Sequence, residues 1–247
     1  MMSDPQRPTV DIVLPVYNEV GVLRQSVEKV LEFVSGQPQY NWHVTIADNG
    51  SNDGTGPLAR ELEAQYEGKV EALLLTIKGR GLALKAAWTR DGADVVCYMD
   101  IDLSTDLAHL PELVATIVEK NCDVAIGTRL AKGSKTRRSL KREITSRGYV
   151  FLIRATFPRM RITDAQCGFK ALSRRAADDL VPRVVNGMWF FDTELLILAH
   201  RLGYTICEVP VRWDEDPDTK VHILKTAIED VRGLARMRLT KLQKARP

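Results

Sequence analysis

The stretch DVVCYMDIDLSTD, Asp94 to Asp106, is apolar from Val95 to Met99 and then turns acidic at Asp100, Asp102 and Asp106, with Ser104 and Thr105 between them. Crowded carboxylates repel one another and lose hydration, so something must compensate for placing several at one strand end. Two compensations are open. Ser, Thr and Asp after a strand commonly cap the next helix by accepting its unpaired N–H groups, and a lone D-x-D is weak evidence for more. Alternatively, the acids hold a divalent cation. Hard oxygen ligands suit Mg2+ or Mn2+, which keep several waters and take one or two protein carboxylates plus substrate phosphates.

The elements that would have to position these acids are legible nearby. VDIVLPV (Val10–Val16), WHVTIAD (Trp42–Asp48), VEALLLT, DVVCYMD and CDVAIGT read as strands. Helices are expected at Val20–Val34, at about 57–66, at Leu82–Trp88 and at about 111–119. Strands alternating with helices at this spacing predict an α/β fold, a mostly parallel central sheet flanked by helices. In such sheets ligands sit beyond the carboxyl ends of the strands. There the sequence places Pro15, Tyr17, Asn18 and Glu19; Asp48, Asn49, Ser51 and Asp53; Lys78, Gly79, Arg80 and Gly81; and Asp100 and Asp102. Four consecutive strands ending in candidate ligands favour a binding site over capping alone. No G-x-G-x-x-G follows the first strand and no G-x-x-x-x-G-K-[ST] occurs, so a metal and scattered side chains would have to neutralise a nucleotide's phosphates.

The chain has 247 residues, 45% hydrophobic and 27% charged, as expected of a globular domain with or without an appendage. Cys97, Cys122, Cys167 and Cys207 are far apart with no C-x-x-C, and read as buried thiols of a reducing compartment. No basic-then-apolar leader and no run of ~20 apolar residues is present, so a cytoplasmic chain that does not itself cross a bilayer is expected. Net charge is only +3, yet Arg129 to Arg161 contains eleven Lys or Arg against one acid, Glu143. A second basic stretch runs through Lys225, Arg232, Arg236, Arg238, Lys241, Lys244 and Arg246. Such runs are solvated faces, or they meet an anionic membrane surface or a phosphorylated acceptor. Nucleic acid is the least attractive partner, for want of an aromatic stacking pattern or binding signature.

In order along the chain, DIVLPVYNE, IADNGSNDGT, KGRGLALKAAW and YMDIDLSTD resemble the donor half of family 2 glycosyltransferases with the GT-A fold. IGTRL, LKREITSRGY, ITDAQCGFKALSR and FFDTELLILAHRLGYTICEVPVRW continue the likeness, and resemble the branch that glycosylates polyprenyl phosphates, the dolichyl-phosphate glucose and mannose synthases. The resemblance implies a catalytic domain over 1–213, with a donor half at about 8–128 and an acceptor half at about 129–213. Residues 214–247 would form an amphipathic basic helix able to lie in a membrane interface. It further implies that Pro15, Tyr17 and Glu19 line the base and ribose pocket, that Asp48 contacts the nucleobase, and that Asn49 stands where the family usually has a second Asp. Lys78 would lie near the nucleotide. Asp100, Ile101 and Asp102 would form the D-x-D element that binds ribose and Mg2+ or Mn2+. Relatives that transfer mannose often have Gln at the position of Ser104. Arg129, Lys141, Arg142 and Ser146 match the positions that hold the acceptor phosphate, and Arg142 and Ser146 share a helix face at i,i+4. Asp192 occupies the place of the catalytic base used with hydroxyl acceptors and reads as a positioning group or optional base, or it caps a helix. Asp164 and Gln166 resemble active-site floor.

The implied activity is inverting, metal-dependent transfer of a hexose to polyprenyl or dolichyl phosphate, giving a β-linked product. UDP-glucose is the first expected donor, ahead of a UDP-N-acetylhexosamine or GDP-mannose. The chain would work peripherally on the cytoplasmic face of a membrane, alone or with a separate membrane-spanning partner. The alternatives are a family 2 enzyme acting on a hydroxyl acceptor, a glycosidase, and a non-catalytic nucleotide-sugar sensor.

Overall fold

The computed structural model describes residues 7–90, 92–137, 139–214 and 223–240, with the backbone alone at 140, 141 and 223–225. The first half alternates as β1 (Thr9–Val16), α1 (Val20–Ser35), β2 (Asn41–Asn49), α2 (Thr55–Gln65), β3 (Val70–Leu75), α3 (Arg80–Trp88), β4 (Val95–Met99), α4 (Leu110–Val118) and β5 (Val124–Thr128). The second half is less regular: β6 (Lys135–Arg137), α5 (Leu140–Thr156), β7 (Phe169–Ser173), α6 (Arg174–Leu180), α7 (Phe191–Leu202), β8 (Ile206–Pro210), β9 (Arg212–Asp214) and α8 (Ile223–Leu239).

Seven strands form one sheet in the order β3-β2-β1-β4-β7-β5-β8, and β6 and β9 pair separately. The sheet is parallel except for β7, which runs antiparallel between β4 and β5 with Ala171 opposite both Cys97 and Ala125. The expected mostly parallel sheet is therefore present, with one reversed strand in its interior. Its strands are apolar on both faces because helices cover both. In β4, Val95, Cys97 and Met99 join one core layer while Val96 and Tyr98 join the other, the period-two alternation of a pleated strand. Helix α1 buries Leu23, Val27, Val30 and Val34, one face of a 3.6-residue repeat.

The donor and acceptor halves interlock in one sheet, because β7 from the second half lies between two strands of the first. Cys122 and Cys207 are not free thiols. Parallel pairing of β5 with β8 brings them to a Cα separation of 6.2 Å, where they form a disulfide; Cys97 and Cys167 are free and buried. That removes two of the four thiols on which the reducing-compartment argument rested. The C-terminal helix is a docked element whose Asp230, Leu234 and Met237 are buried. The basic residues Lys241, Lys244, Arg246 and Arg138 lie outside the described residues, as do the side chains of Lys141 and Lys225. No helix among the described residues is long and apolar enough to cross a membrane.

Candidate active site at the strand ends

Strands β1 and β4 are neighbours, and the order continues through β2 and β3 on one side and β7 on the other. Ligands of open α/β sheets sit at such a switch, beyond the carboxyl ends of the strands. Two loops laced together form its first wall. The Asn18 N–H donates to Ser51 Oγ at 2.8 Å, the Asn52 N–H to Asn18 Oδ1 at 2.9 Å, and the Glu19 N–H to Thr55 Oγ1 at 2.9 Å. Asp53 accepts from the Val20 and Thr55 N–H groups at 3.2 and 3.0 Å, tying together the starts of α1 and α2. Lys78 Nζ stands 3.6 Å from the Tyr17 ring centroid, so these two expected donor residues meet across the crevice as a cation–π pair.

The other expected donor residues divide. Asp48 is buried, with Oδ1 accepting from the Ser51 N–H and Oγ at 3.1 and 2.5 Å, which leaves Oδ2 for a ligand. A Cβ on Gly56 would stand 3.2 Å from that oxygen, so glycine there keeps the approach open. Asn49, expected to contact the nucleotide, has both ends of its amide engaged within the protein. Its Nδ2 donates to the Val16 carbonyl at 2.7 Å and its Oδ1 accepts from the Gly79 N–H at 3.2 Å. An amide can bridge a carbonyl and an N–H at once, which a carboxylate cannot, and Asn49 thereby fastens the end of β1 to the start of α3. Pro15 is a buried strand residue opposite Ala47. Ile101 points into the core.

The acidic pair follows β4. Asp100 is 43% exposed, its Oδ1 accepting from Arg80 Nη2 at 3.1 Å. Its backbone N–H donates to the Gly168 carbonyl at 3.2 Å, and a Cβ on Gly168 would stand 1.8 Å from Asp100 Oδ2, so only glycine fits beneath the carboxylate. Asp102 is exposed, with Oδ1 accepting from the Ser104 N–H at 2.9 Å, and Leu103 between them adopts φ 52°. A left-handed branched-chain residue is strain held in place by its surroundings, a feature of functional loops. Ser104 Oγ is buried beside this turn without a hydrogen-bond partner. Capping does explain Asp106, which accepts from the Ala108 N–H at 3.0 Å, but not Asp100 or Asp102. Among the described residues no cluster of three or more acidic, His or Cys ligands forms a metal cage. Two exposed carboxylates beside an orphaned hydroxyl nevertheless fit Mg2+ or Mn2+, which take their other ligands from water and phosphate.

Behind Asp100 lies a buried ionic network that sequence reasoning did not assemble. Arg80 Nη1 donates to Asp192 Oδ2 at 2.6 Å, Lys170 Nζ stands 2.9 Å from Asp192 Oδ1, and the Tyr98 hydroxyl donates to that same Oδ1. Lys170, fully buried near the start of β7, also donates to the Cys167 carbonyl at 2.6 Å. Burial alone would raise the Asp192 carboxyl, but the Lys170 ammonium and Arg80 guanidinium outweigh it and hold it at about 2. So weak a base, with both oxygens occupied, is poorly suited to the proton-accepting role that sequence analysis left open. The available signal was KGRG: a Cβ on Gly79 or Gly81 would come within 2.7 Å of residues 187 and 191, respectively, which marks Arg80 as lying on a tightly packed turn.

The acceptor-side residues also divide. Arg129 was expected to hold a phosphate, but its Nε and Nη2 donate to Asp164 at 2.7 and 3.0 Å, a bidentate pair with Asp164 buried. Burial would lower the Arg129 pKa, but Asp164 raises it further, so a permanent cation is neutralised on the spot. Its guanidinium also lies 5.4 Å from the Trp213 ring. Arg142 and Ser146 do share a face. They stand on α5 in line with Tyr149 and Ile153, all half-buried or buried, whereas Ile144 and Phe151 on the opposite face are exposed. The inward placement is fixed lower down the helix, where the Tyr149 hydroxyl donates to Thr193 Oγ1 at 2.8 Å. Gln166, expected on the site floor, donates through Nε2 to Asp230 of α8 at 2.9 Å.

The fold and its strand-end site have counterparts among known proteins. The structure superposes on glucosyl-3-phosphoglycerate synthase from Mycobacterium tuberculosis, solved with Mn2+, UDP and phosphoglyceric acid, with a TM-score of 0.67 and 18% identity over 96% of this chain and 80% of that one. The shared architecture is the GT-A fold. In sequence, the chain is 37% identical over 217 residues to glycosyltransferase AglD of Haloferax volcanii, covering 87% of this chain and 35% of that protein. It is 28% identical over 233 residues to a dolichyl-phosphate beta-glucosyltransferase of Drosophila melanogaster, covering 89% and 71%, respectively. The Saccharomyces cerevisiae enzyme of that name matches at 26% over 258 residues, covering 97% and 77%. The chain thus spans about a third of AglD's length, and the Glycosyl transferase family 2 model matches residues 11–181. From the first strand through the helix after the reversed strand, this chain is a member of glycosyl transferase family 2, an enzyme family.

Proposed function

We propose that the protein transfers a hexose from a nucleotide sugar to a polyprenyl or dolichyl phosphate with inversion, dependent on Mg2+ or Mn2+, with UDP-glucose as the first donor to test. The observation that supports this reading is that Asp100 and Asp102 follow β4 at the β1/β4 switch, while the Tyr17–Lys78 pair follows β1 and β3 at the same sheet end, where a nucleoside diphosphate needs charge neutralised. A bound divalent ion there supplies positive charge to the departing diphosphate. The chain's own residues supply the rest. Asp48 Oδ2 accepts from the nucleobase, Tyr17 and Lys78 hold the nucleotide, and the laced loops keep water from that wall. A phosphate monoester is already anionic at neutral pH and needs positioning more than proton removal. Arg142 and Ser146, on the inward stripe of α5, provide that positioning. The names of the dolichyl-phosphate relatives support this acceptor and favour glucose.

The acceptor calls for membrane proximity, and a peripheral location on the cytoplasmic face, with or without a membrane-spanning partner, follows from the same reading. A hydroxyl acceptor is the weaker alternative, because Asp192 is buried between two cations. The test is a donor screen against short-chain polyprenyl phosphate, with product stereochemistry determined and UDP and GDP affinities measured by calorimetry. A β-linked lipid-phosphate hexose from UDP-glucose is expected. Transfer only to hydroxyl acceptors, or clearly tighter binding of GDP, overturns the acceptor or the donor assignment, respectively.

A further inference from the structure

The guanidinium of Arg80 bridges two carboxylates, only one of which faces the cleft. Nη2 reaches Asp100 at 3.1 Å and Nη1 reaches Asp192 at 2.6 Å. A guanidinium is planar, so fixing one edge of the fork fixes the direction of the other. Two aromatic rings restrain the plane further: the Arg80 Cζ lies 4.9 Å from the Tyr98 centroid and 5.2 Å from that of Trp189. Asp192 is itself immobilised, with a side chain only 5% exposed and Oδ1 held by Lys170 at 2.9 Å and by the Tyr98 hydroxyl. A proton acceptor has to come within hydrogen-bond reach of the proton it takes. Both oxygens of Asp192 already have partners, and the second of them is the far edge of the fork that holds Asp100.

We infer that Asp192 is a positioning residue, which holds Arg80 so that its guanidinium orients the Asp100 carboxylate for the cation and diphosphate, and that it does not accept a proton in the reaction. This rests on the reading above that Asp100 belongs to a cation-dependent nucleotide site. Charge accounting agrees with it. Asp100 and Asp192 are matched by Arg80 and Lys170, so this four-residue network is balanced before any ligand arrives.

The discriminating measurement is nucleotide binding by calorimetry, with UDP and GDP each titrated in the presence and absence of Mn2+, alongside steady-state kinetics. Asp192→Asn is expected to weaken the Mn2+-dependent binding about tenfold or more, because a charge-assisted contact that aligns Asp100 is lost, while metal-free binding is unchanged. A base mutant would behave oppositely, with binding intact and kcat alone collapsing. Because Asp192→Asn leaves the fully buried Lys170 without its anion and risks unfolding, Arg80→Lys is the second variant. It preserves the charge and the Asp192–Lys170 pair but cannot bridge two carboxylates in one plane. Arg80→Lys should reproduce the Mn2+-dependent weakening, and the double variant should be no worse than the more severe single one. A folded Arg80→Lys or Asp192→Asn protein that binds Mn2+ and nucleotide as the wild type does overturns the inference. Absence of Mn2+-dependent nucleotide binding in the wild type itself overturns the donor-site reading beneath it.

Discussion

Replacing Asp230 with Asn should change how stability depends on pH in a direction that can be worked out beforehand. Asp230 lies in the buried stripe of α8, with Oδ2 accepting from Gln166 and Oδ1 buried without a partner. Burial raises its carboxyl to about 7 from an ordinary 3.8, the nearby Tyr149 hydroxyl and Gln166 amide offset part of the rise, and Glu229 and Asp192 add to it. Between those two values the folded protein keeps a proton that the unfolded chain has released. Its stabilising contribution is therefore complete below pH ~4 and is lost as pH climbs through 7. A shift of about three units corresponds to roughly 4 kcal/mol at most, at ~1.4 kcal/mol per unit. At about 2–4 °C per kcal/mol in a protein of this size, that is on the order of 10 °C in Tm. Asn keeps the acceptor for Gln166 and cannot ionise. The assay is thermal or urea unfolding of both proteins from pH 5 to 9, read as a difference curve. His43, raised by its hydrogen bond to Asp11, titrates in both proteins and cancels. The Asn variant should be more stable by about 1–2 kcal/mol at pH 5 and by about 3–4 kcal/mol at pH 9. A flat difference across that range refutes the reasoning.

Four further outcomes follow from the site. Asp102→Asn keeps volume but removes a hard anionic ligand, so metal-supported turnover should fall by orders of magnitude, at about 1.4 kcal/mol per tenfold; undiminished rates in the variant, or in excess EDTA, would count against the metal. Arg142→Ala should reduce use of polyprenyl phosphate about ten- to a hundredfold while leaving UDP affinity nearly intact, and Ser146→Ala should do less; equal loss of nucleotide binding would make Arg142 a donor residue. Gly168→Ala pushes a methyl group into Asp100, so Mn2+-dependent nucleotide binding should fail in a protein that still unfolds cooperatively. Asn49→Asp would set a carboxylate against the Val16 carbonyl and should destabilise by about 1–3 kcal/mol, measured by urea unfolding.

The first five strands and four helices were legible to within a residue or two because their apolar periods are clean and each is closed by a polar turn. The reversed strand was not. Phe169–Ser173 is short and carries a lysine as its second residue, a pattern that argues against a core strand unless a buried anion is waiting for it. That anion, Asp192, lies 22 residues further on, and no local rule connects the two. The ion pair of Arg129 was hidden for a related reason: its partner Asp164 lies 35 residues away, and the family likeness that suggests an acceptor-phosphate role for Arg129 says nothing of it. The cysteine pairing, across 85 residues of sequence, depends on β5 and β8 becoming neighbours. Local chemistry was thus readable wherever the partner was solvent or a nearby backbone group, and unreadable wherever it was a distant side chain.

The reversed strand also has a consequence for how the chain acquires its structure. While the polypeptide emerges, β1 through β4 can pair as soon as they are made, but β4 and β5 flank a gap that only β7 fills. Until Ser173 has been synthesised and α5 has turned the chain back, Met99 and the residues after it end an open edge, and Asp100 lacks the glycine on which it rests. Closing that loop late, over a long sequence separation, predicts a slow folding step and an exposed β4 edge beforehand, a place where a nascent or truncated chain would be vulnerable to strand-to-strand aggregation. Catalytic competence and the end of that vulnerability would then arrive in the same event.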